Sequence, residues 1–286
     1  MKEFIRFALL FSSCLVYFPS YTLAEKTASD KYYLDLTHLL SNSSTSYSPD
    51  VQPFRVTISK KEVKDSSGSF WYQTENYATS TLVGTHLEAP CSFYKESWCV
   101  NDIPMDHLIA PATFMNISEE VKTNASYKIT SEDFICFEQK NGKIKNGSIL
   151  LIYTGWSRYW NEPDKYFGKS NLGFPSLSEE AARWLVANRS IVGIGIDTAS
   201  VDPGTSTNFR AHRIFAEKNM FILANVANMD QFNYTCNRIN LYVSPLKITG
   251  ASNAQCSIVA QVENSAPLAS SVWMLTILLC LFCKLF

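Results

Sequence analysis

The segment Gly84-Thr85-His86-Leu87-Glu88-Ala89-Pro90-Cys91-Ser92-Phe93 gathers an imidazole, a carboxylate, a thiol and a hydroxyl. These are the groups of metal binding, proton transfer and nucleophilic catalysis. Asp197, Ser200 and Asp202 form a second polar group, followed by His212. Two chemistries find no support. The chain has no CxxC…CxxC pattern for a zinc–thiolate centre. Ser92 lacks the G-x-S-x-G elbow, and nothing in the spacing makes a triad of it with His212 and an acid. A lone histidine is more often a hydrogen-bonded structural residue than a ligand. His38 and His107 lie in no motif and read as surface or core residues.

The elements that must position these groups are clearest in the second half. Residues 148–153 are a continuous apolar run, the pattern of a strand buried on both faces. Residues 190–196 and 220–226 repeat that pattern. Between them, 176–188 reads as a helix with a capping box at Ser176 and Glu179 and an apolar face of Leu177, Ala181, Trp184 and Leu185. A short helix is expected over 211–218. Residues 32–40 and 53–60 read as strands, 65–68 as a turn and 77–87 as extended chain. Strand, helix, strand, helix, strand after a β-rich first half argues for an α/β domain. Trp156 and Trp160 are candidate pocket walls, with core packing expected for at least one.

The chain has 286 residues, 46% of them apolar, enough for one sizeable core. With 25 basic and 26 acidic residues, its charge gives no reason to expect nucleic acid as a partner. Residues 1–24 read as a secretory signal peptide: Lys2 and Arg6, a short apolar stretch, then small residues at Thr22 and Ala24. Residues 263–286 read as a small-residue spacer and apolar tail. The tail is too short for an ordinary span and fits a lipid-anchor signal with Asn264 as attachment point; a tail anchor or a cleaved or buried helix are the alternatives. Such an anchor would make the membrane a partner.

Sequons at Asn42, Asn116, Asn124, Asn146, Asn188 and Asn233 imply passage through the secretory pathway and glycosylation, and a cell-surface or extracellular location. Of the cysteines between the two ends, Cys91, Cys99, Cys136, Cys236 and Cys256, proximity in sequence suggests the pairs Cys91–Cys99 and Cys236–Cys256. Spacing alone does not fix that connectivity.

The segment beginning at Gly84 resembles the H-x-G-T-H-x-D-x-P-x-H-F signature of the cyclase family of metal-dependent hydrolases, which includes kynurenine formamidases and isatin hydrolases. Tyr153-Thr154-Gly155-Trp156, Leu177-Ser178-Glu179-Glu180-Ala181-Ala182, Gly195-Ile196-Asp197-Thr198 and Ala211-His212 follow in the family's order. The resemblance covers about 32–262, after a mature N-terminal segment of 25–31. It implies a single domain of the swivelling β/β/α type, homo-oligomers, and a divalent ion, zinc or manganese, at the centre of the chemistry. It also implies that the loop of Asp197, Ser200 and Asp202 is structural, built on turn bonds.

Mapped residue by residue, His86, Glu88 and His212 are the remaining candidate ligands, enough for one weakly held ion and no other cofactor. The first histidine of the signature falls on Leu82, its aspartate on Glu88 and the proton-transfer histidine on Ser92. A later glutamate falls on Ala224. Two functions remain open: a catalytically impaired surface protein that binds a small molecule or a surface partner, or a working amidohydrolase with a reduced metal site.

Overall fold

The computed structural model describes residues 31–42, 44, 51–168, 173–232 and 236–264. The predicted signal peptide, most of the apolar tail and the Asn233 sequon lie outside the described residues. Twelve strands follow in order: β1 (Lys31–Asp35), β2 (Arg55–Asp65), β3 (Gly68–Ala78), β4 (His86–Glu88), β5 (Ile109–Asn116), β6 (Lys128–Ile129), β7 (Ile149–Tyr153), β8 (Ser176–Leu177), β9 (Gly193–Ile196), β10 (Phe221–Ala224), β11 (Cys236–Pro245) and β12 (Asn253–Asn264). Three longer helices are interleaved: α1 (Ser131–Asn141), α2 (Glu179–Asn188) and α3 (Arg210–Ala216).

The main sheet runs β1-β12-β11-β5-β7-β9-β10-β4, and β4 pairs again with β12. Seven strands thereby close into a ring, with β1 attached outside it to β12. The run β5-β7-β9-β10 is parallel; β4, β11 and β12 close it with antiparallel pairings. Closure leaves these strands two apolar faces to bury. Ile149 and Leu151 of β7 pack inside the ring with Leu87, Leu223 and Ile258. Leu150 and Ile152 pack outside it, against Phe134, Leu185 and Phe215 of the helices. The uninterrupted apolar pattern of 148–153 has this cause.

The α/β domain expected from the sequence is therefore observed, as a barrel-like mixed sheet with helices on one side. Several local expectations change. Ser176 and Leu177 are extended in β8, paired with β6, so the capping box at Ser176 and Glu179 does not form. Ser178 caps α2 instead, accepting from the Ala181 N–H at 3.0 Å. The sequence reading missed α1, although Thr130 and Asp133 form a capping box at its start. The extended stretch over 77–87 is interrupted by turns between β3 and β4. The hairpin β2–β3 pairs only with itself.

Cys91 and Cys99 are disulfide-bonded. The expected pair of Cys256 with Cys236 does not form, since Cys256 is a free thiol. Cys236 lies opposite Asn264 and Cys256 opposite Pro245, which puts them at opposite ends of the β11–β12 ladder, roughly 30 Å apart. Cys256 is a free, buried thiol and Cys136 a free, half-buried one. No helix among the described residues is long and apolar enough to cross a membrane.

Candidate functional site

β4 is clamped on both sides. Glu88, Leu87 and His86 face Ile222, Leu223 and Ala224 of β10 on one edge, and Asn253, Ala254 and Gln255 of β12 on the other. Side chains alternate along a strand. Leu87 points into the ring, so His86 and Glu88 point out of it, towards α3. That helix brings in His212, which like His86 is only 3% exposed.

The three candidate ligands therefore meet. His86 Nε2 lies 3.6 Å from Glu88 Oε1, and His212 Nε2 lies 3.3 Å from Glu88 Oε2. Each ring is held from behind. His86 Nδ1 is 2.9 Å from the Gly84 carbonyl, and because a carbonyl only accepts, Nδ1 carries the proton. Gly84 adopts φ 77°, a region that glycine enters freely. Its carbonyl also accepts from Asn225 Nδ2 at 2.8 Å, and Asn225 Oδ1 accepts from the Tyr166 hydroxyl at 2.8 Å. His212 Nδ1 is 2.5 Å from Asp202 Oδ2. The same carboxylate accepts from the backbone N–H groups of Ala211 and His212.

Asp202 is the residue that the sequence reading passed over, having assigned its loop a structural role. Its partner ten residues on is the only local signal, since such a contact needs the turn before α3 to be known. Asp197 does fit the structural role. It is fully buried, and its carboxylate accepts from Thr154 N (2.8 Å), Thr154 Oγ1 (2.6 Å) and Ser157 N (3.2 Å).

The electrostatics follow from this packing. Burial alone would raise the Glu88 carboxyl, but the charge of His212, 3.3 Å away, and its hydrogen bond outweigh it and hold the group well below the usual carboxylate range. Burial would lower His212; the charge of Glu88 and the bonds to Asp202 and Glu88 reverse that and raise it to about 9. Asp202 is held low by His212 against the effect of its own burial. His212 is thus an imidazolium between two carboxylates.

A raised histidine stabilises the fold fully below its unfolded pKa and loses that contribution as pH climbs through the folded value. A rise from 6.5 to about 9 corresponds to roughly 3 kcal/mol. The chelator-treated protein should therefore lose melting temperature between pH 6.5 and 9.5. Asp202→Asn should shift that loss to lower pH. A wild-type melting temperature flat over this interval would rule out a charged His212.

Two imidazoles oriented from behind by an acceptor and aimed at one point are what metal sites use. Here the Glu88 carboxylate stands at that point. Among the described residues, no group of three His, Cys, Asp or Glu side chains is disposed to hold a metal ion. Ala224 is fully buried directly opposite His86 and offers only a methyl group. Ser92 Oγ donates to the Ser252 carbonyl at 2.8 Å and lies 3.2 Å from Asn253 Oδ1, so it fastens the loop after β4 to β12. Leu82 carries no donor atom. As arranged, these residues do not fit the ion that the resemblance implies.

The remaining candidates separate. Trp156 is a buried residue whose indole N–H donates to the Tyr166 carbonyl, and it also lines a cavity of about 300 Å³. Trp160 lines a cavity of about 540 Å³ and stacks on His38 with ring centroids 3.9 Å apart. His38, set aside in the sequence, is thereby part of a pocket wall. Asn42, Asn124, Asn146 and Asn188 are exposed, Asn116 is half-buried, and Asn264 is the last residue of β12.

The ring of mixed strands, with its histidine–carboxylate cluster facing the flanking helices, can be compared with known proteins, and the comparison identifies the family. Residues 34–203 match the family model described as Putative cyclase. The chain belongs to the cyclase family. It is 24% identical over 227 residues to an isatin hydrolase of Roseibium aggregatum, covering 74% of this chain and 82% of that one. It is 25% identical over 175 residues to a kynurenine formamidase of Salinibacter ruber, covering 61% and 73%.

Among solved structures, isatin hydrolase A from Ralstonia solanacearum superposes with a TM-score of 0.73 at 26% identity, covering 82% of this chain and 92% of that one. A structure described as a potential metal-dependent hydrolase with cyclase activity shares the fold at a TM-score of 0.61 and 20% identity, covering 83% and 100%.

Proposed function

We propose that this protein is a secreted or surface-anchored glycoprotein that keeps the cyclase-family body, has exchanged the family's metal for an internal ion cluster, and acts by binding. One observation carries the reading: the Glu88 carboxylate lies 3.6 and 3.3 Å from the inward nitrogens of His86 and His212. Glutamate reaches one methylene further than aspartate, and that reach lets the carboxylate enter the space between the rings. Protonated His212 then supplies the positive charge there. The signal peptide and sequons of the sequence support the secretory location.

The bonds to Gly84 and Asp202 favour a second reading. They leave both Nε2 atoms turned towards Glu88, so a rearrangement of that side chain would offer one zinc or manganese ion three ligands. On that reading the protein is a hydrolase of formamides or cyclic amides. Metal content and turnover decide between the two. The full chain, made in a secretory host and purified without chelator, is expected to carry little zinc or manganese and to leave N-formylkynurenine and isatin uncleaved. Stoichiometric metal with turnover, both abolished by His86→Ala, would replace the binding reading with the second.

A further inference from the structure

Beside the β11–β12 edge of the ring lies a cavity of about 490 Å³, walled by the loop after β1 and the ends of β11 and β12. Thr37, His38 and Leu40 come from that loop, Phe54 and Tyr77 from the roots of the β2–β3 hairpin, and Cys256 from β12. It is distinct from the cluster around Glu88. Thr85 lines the cavity, whereas the next residue, His86, faces Glu88 and His212.

Three features define what this cavity suits. First, no Lys, Arg, Asp or Glu among the described residues lies in its wall. The Cys256 thiol is pushed far up by burial and is unreactive. A charged ligand would find no counter-ion there, and its desolvation would go uncompensated. Second, the outer wall is apolar and aromatic: Phe54 and Tyr77 lie ring on ring at 5.9 Å, beside Leu40, Pro245 and Leu246. Third, His38 Nε2 is buried and bonded by no protein group among the described residues. Burial pushes this imidazole down to about 4, so it is neutral at physiological pH.

The backbone of His38 is fixed by its N–H to Thr85 Oγ1 at 2.9 Å, and its ring by the stack on Trp160. An unsatisfied buried nitrogen costs free energy that a suitable partner returns. Because Nε2 is closed off in the free protein, a ligand reaches it by a small rotation of the ring, which disturbs the stack on Trp160.

We propose that this cavity is a binding site for an uncharged, flat aromatic molecule carrying one hydrogen-bonding group, which bonds His38 Nε2 while its ring packs against Phe54 and Tyr77. The proposal deepens the binding reading above and rests on it.

Three probes of one shape test it on the full chain by calorimetric titration: 2-naphthol, naphthalene and 2-naphthoate. The expected order is 2-naphthol tighter than naphthalene by about tenfold, the worth of one buried hydrogen bond, with 2-naphthoate weakest. His38→Phe keeps an aromatic ring against Trp160 but removes Nε2, and should bring 2-naphthol to the level of naphthalene. Tryptophan emission should change with 2-naphthol in the wild type and much less in Trp160→Phe.

Equal binding of 2-naphthol and naphthalene by the wild type overturns the proposal, and needs no variant to fold. So does unaltered selectivity in a folded His38→Phe, or tightest binding of 2-naphthoate. Turnover of N-formylkynurenine would instead overturn the binding reading and leave these titrations as they are.

Discussion

The combined variant Leu82→His, Glu88→Asp, Ser92→His and Ala224→Glu should bind zinc or manganese near stoichiometrically and show amide-hydrolase activity well above that of the natural chain. The first three changes restore residues of the family signature, and the fourth restores its later glutamate. Shortening Glu88 withdraws its carboxylate from between the rings. Glutamate at 224 projects from β10 directly opposite His86. Histidine at 92 takes the place of a hydroxyl that now only fastens a loop. Both retained imidazoles are already oriented by Gly84 and Asp202, so the part of a metal site that is hardest to build is in place.

Metal should stabilise the variant in proportion to the logarithm of its concentration, and at a thousand times Kd by about 4 kcal/mol. Mass spectrometry of bound metal, melting with added zinc or manganese, and N-formylkynurenine turnover read the three effects separately. A folded variant with no metal would show that the frame around β4, and not only its ligands, has changed. A natural protein as active as the variant would sink the proposed loss of hydrolysis.

Asp197→Ala should be the most damaging single substitution near the site while removing no candidate ligand. It leaves Thr154 N, Thr154 Oγ1 and Ser157 N without their acceptor in a fully buried place. Each stranded donor costs about 1–3 kcal/mol, and since the three share one group a total of about 3–5 kcal/mol is expected. For a domain of this size that is a fall of roughly 10–15 °C in melting temperature. Asp197→Asn should cost less, because one oxygen still accepts. Burial raises the Asp197 carboxyl despite those bonds, so fixing the turn that carries Trp156 comes at a desolvation cost. A loss under about 1 kcal/mol on Asp197→Ala would show that the turn holds itself.

Much of this protein is written in its one-dimensional pattern. The apolar runs at 148–153 and 220–226 have no polar alternation because the closed ring buries both faces of β7 and β10, and that requirement acts on each residue separately. The identity of Leu82, Ser92 and Ala224 is likewise local information; a leucine or an alanine cannot ligate a metal in any fold. The order of the family's motifs carried the architecture, since each motif marks the end of one strand or the start of one helix.

What only the tertiary structure decided are relations between distant residues. Glu88 stands between two rings because β4 is paired on both edges and α3 is packed over its outer face. His38 becomes a wall residue through Trp160, far along the chain. Asp202 serves His212 only once the turn before α3 brings them together. Cys236 and Cys256 are close in sequence yet lie at opposite ends of one ladder, because the hairpin's register sets their separation. Periodicity reports which face of an element is buried. Which side chains meet across that buried face is fixed by strand order, register and helix packing, and none of these is stored in a local stretch of sequence.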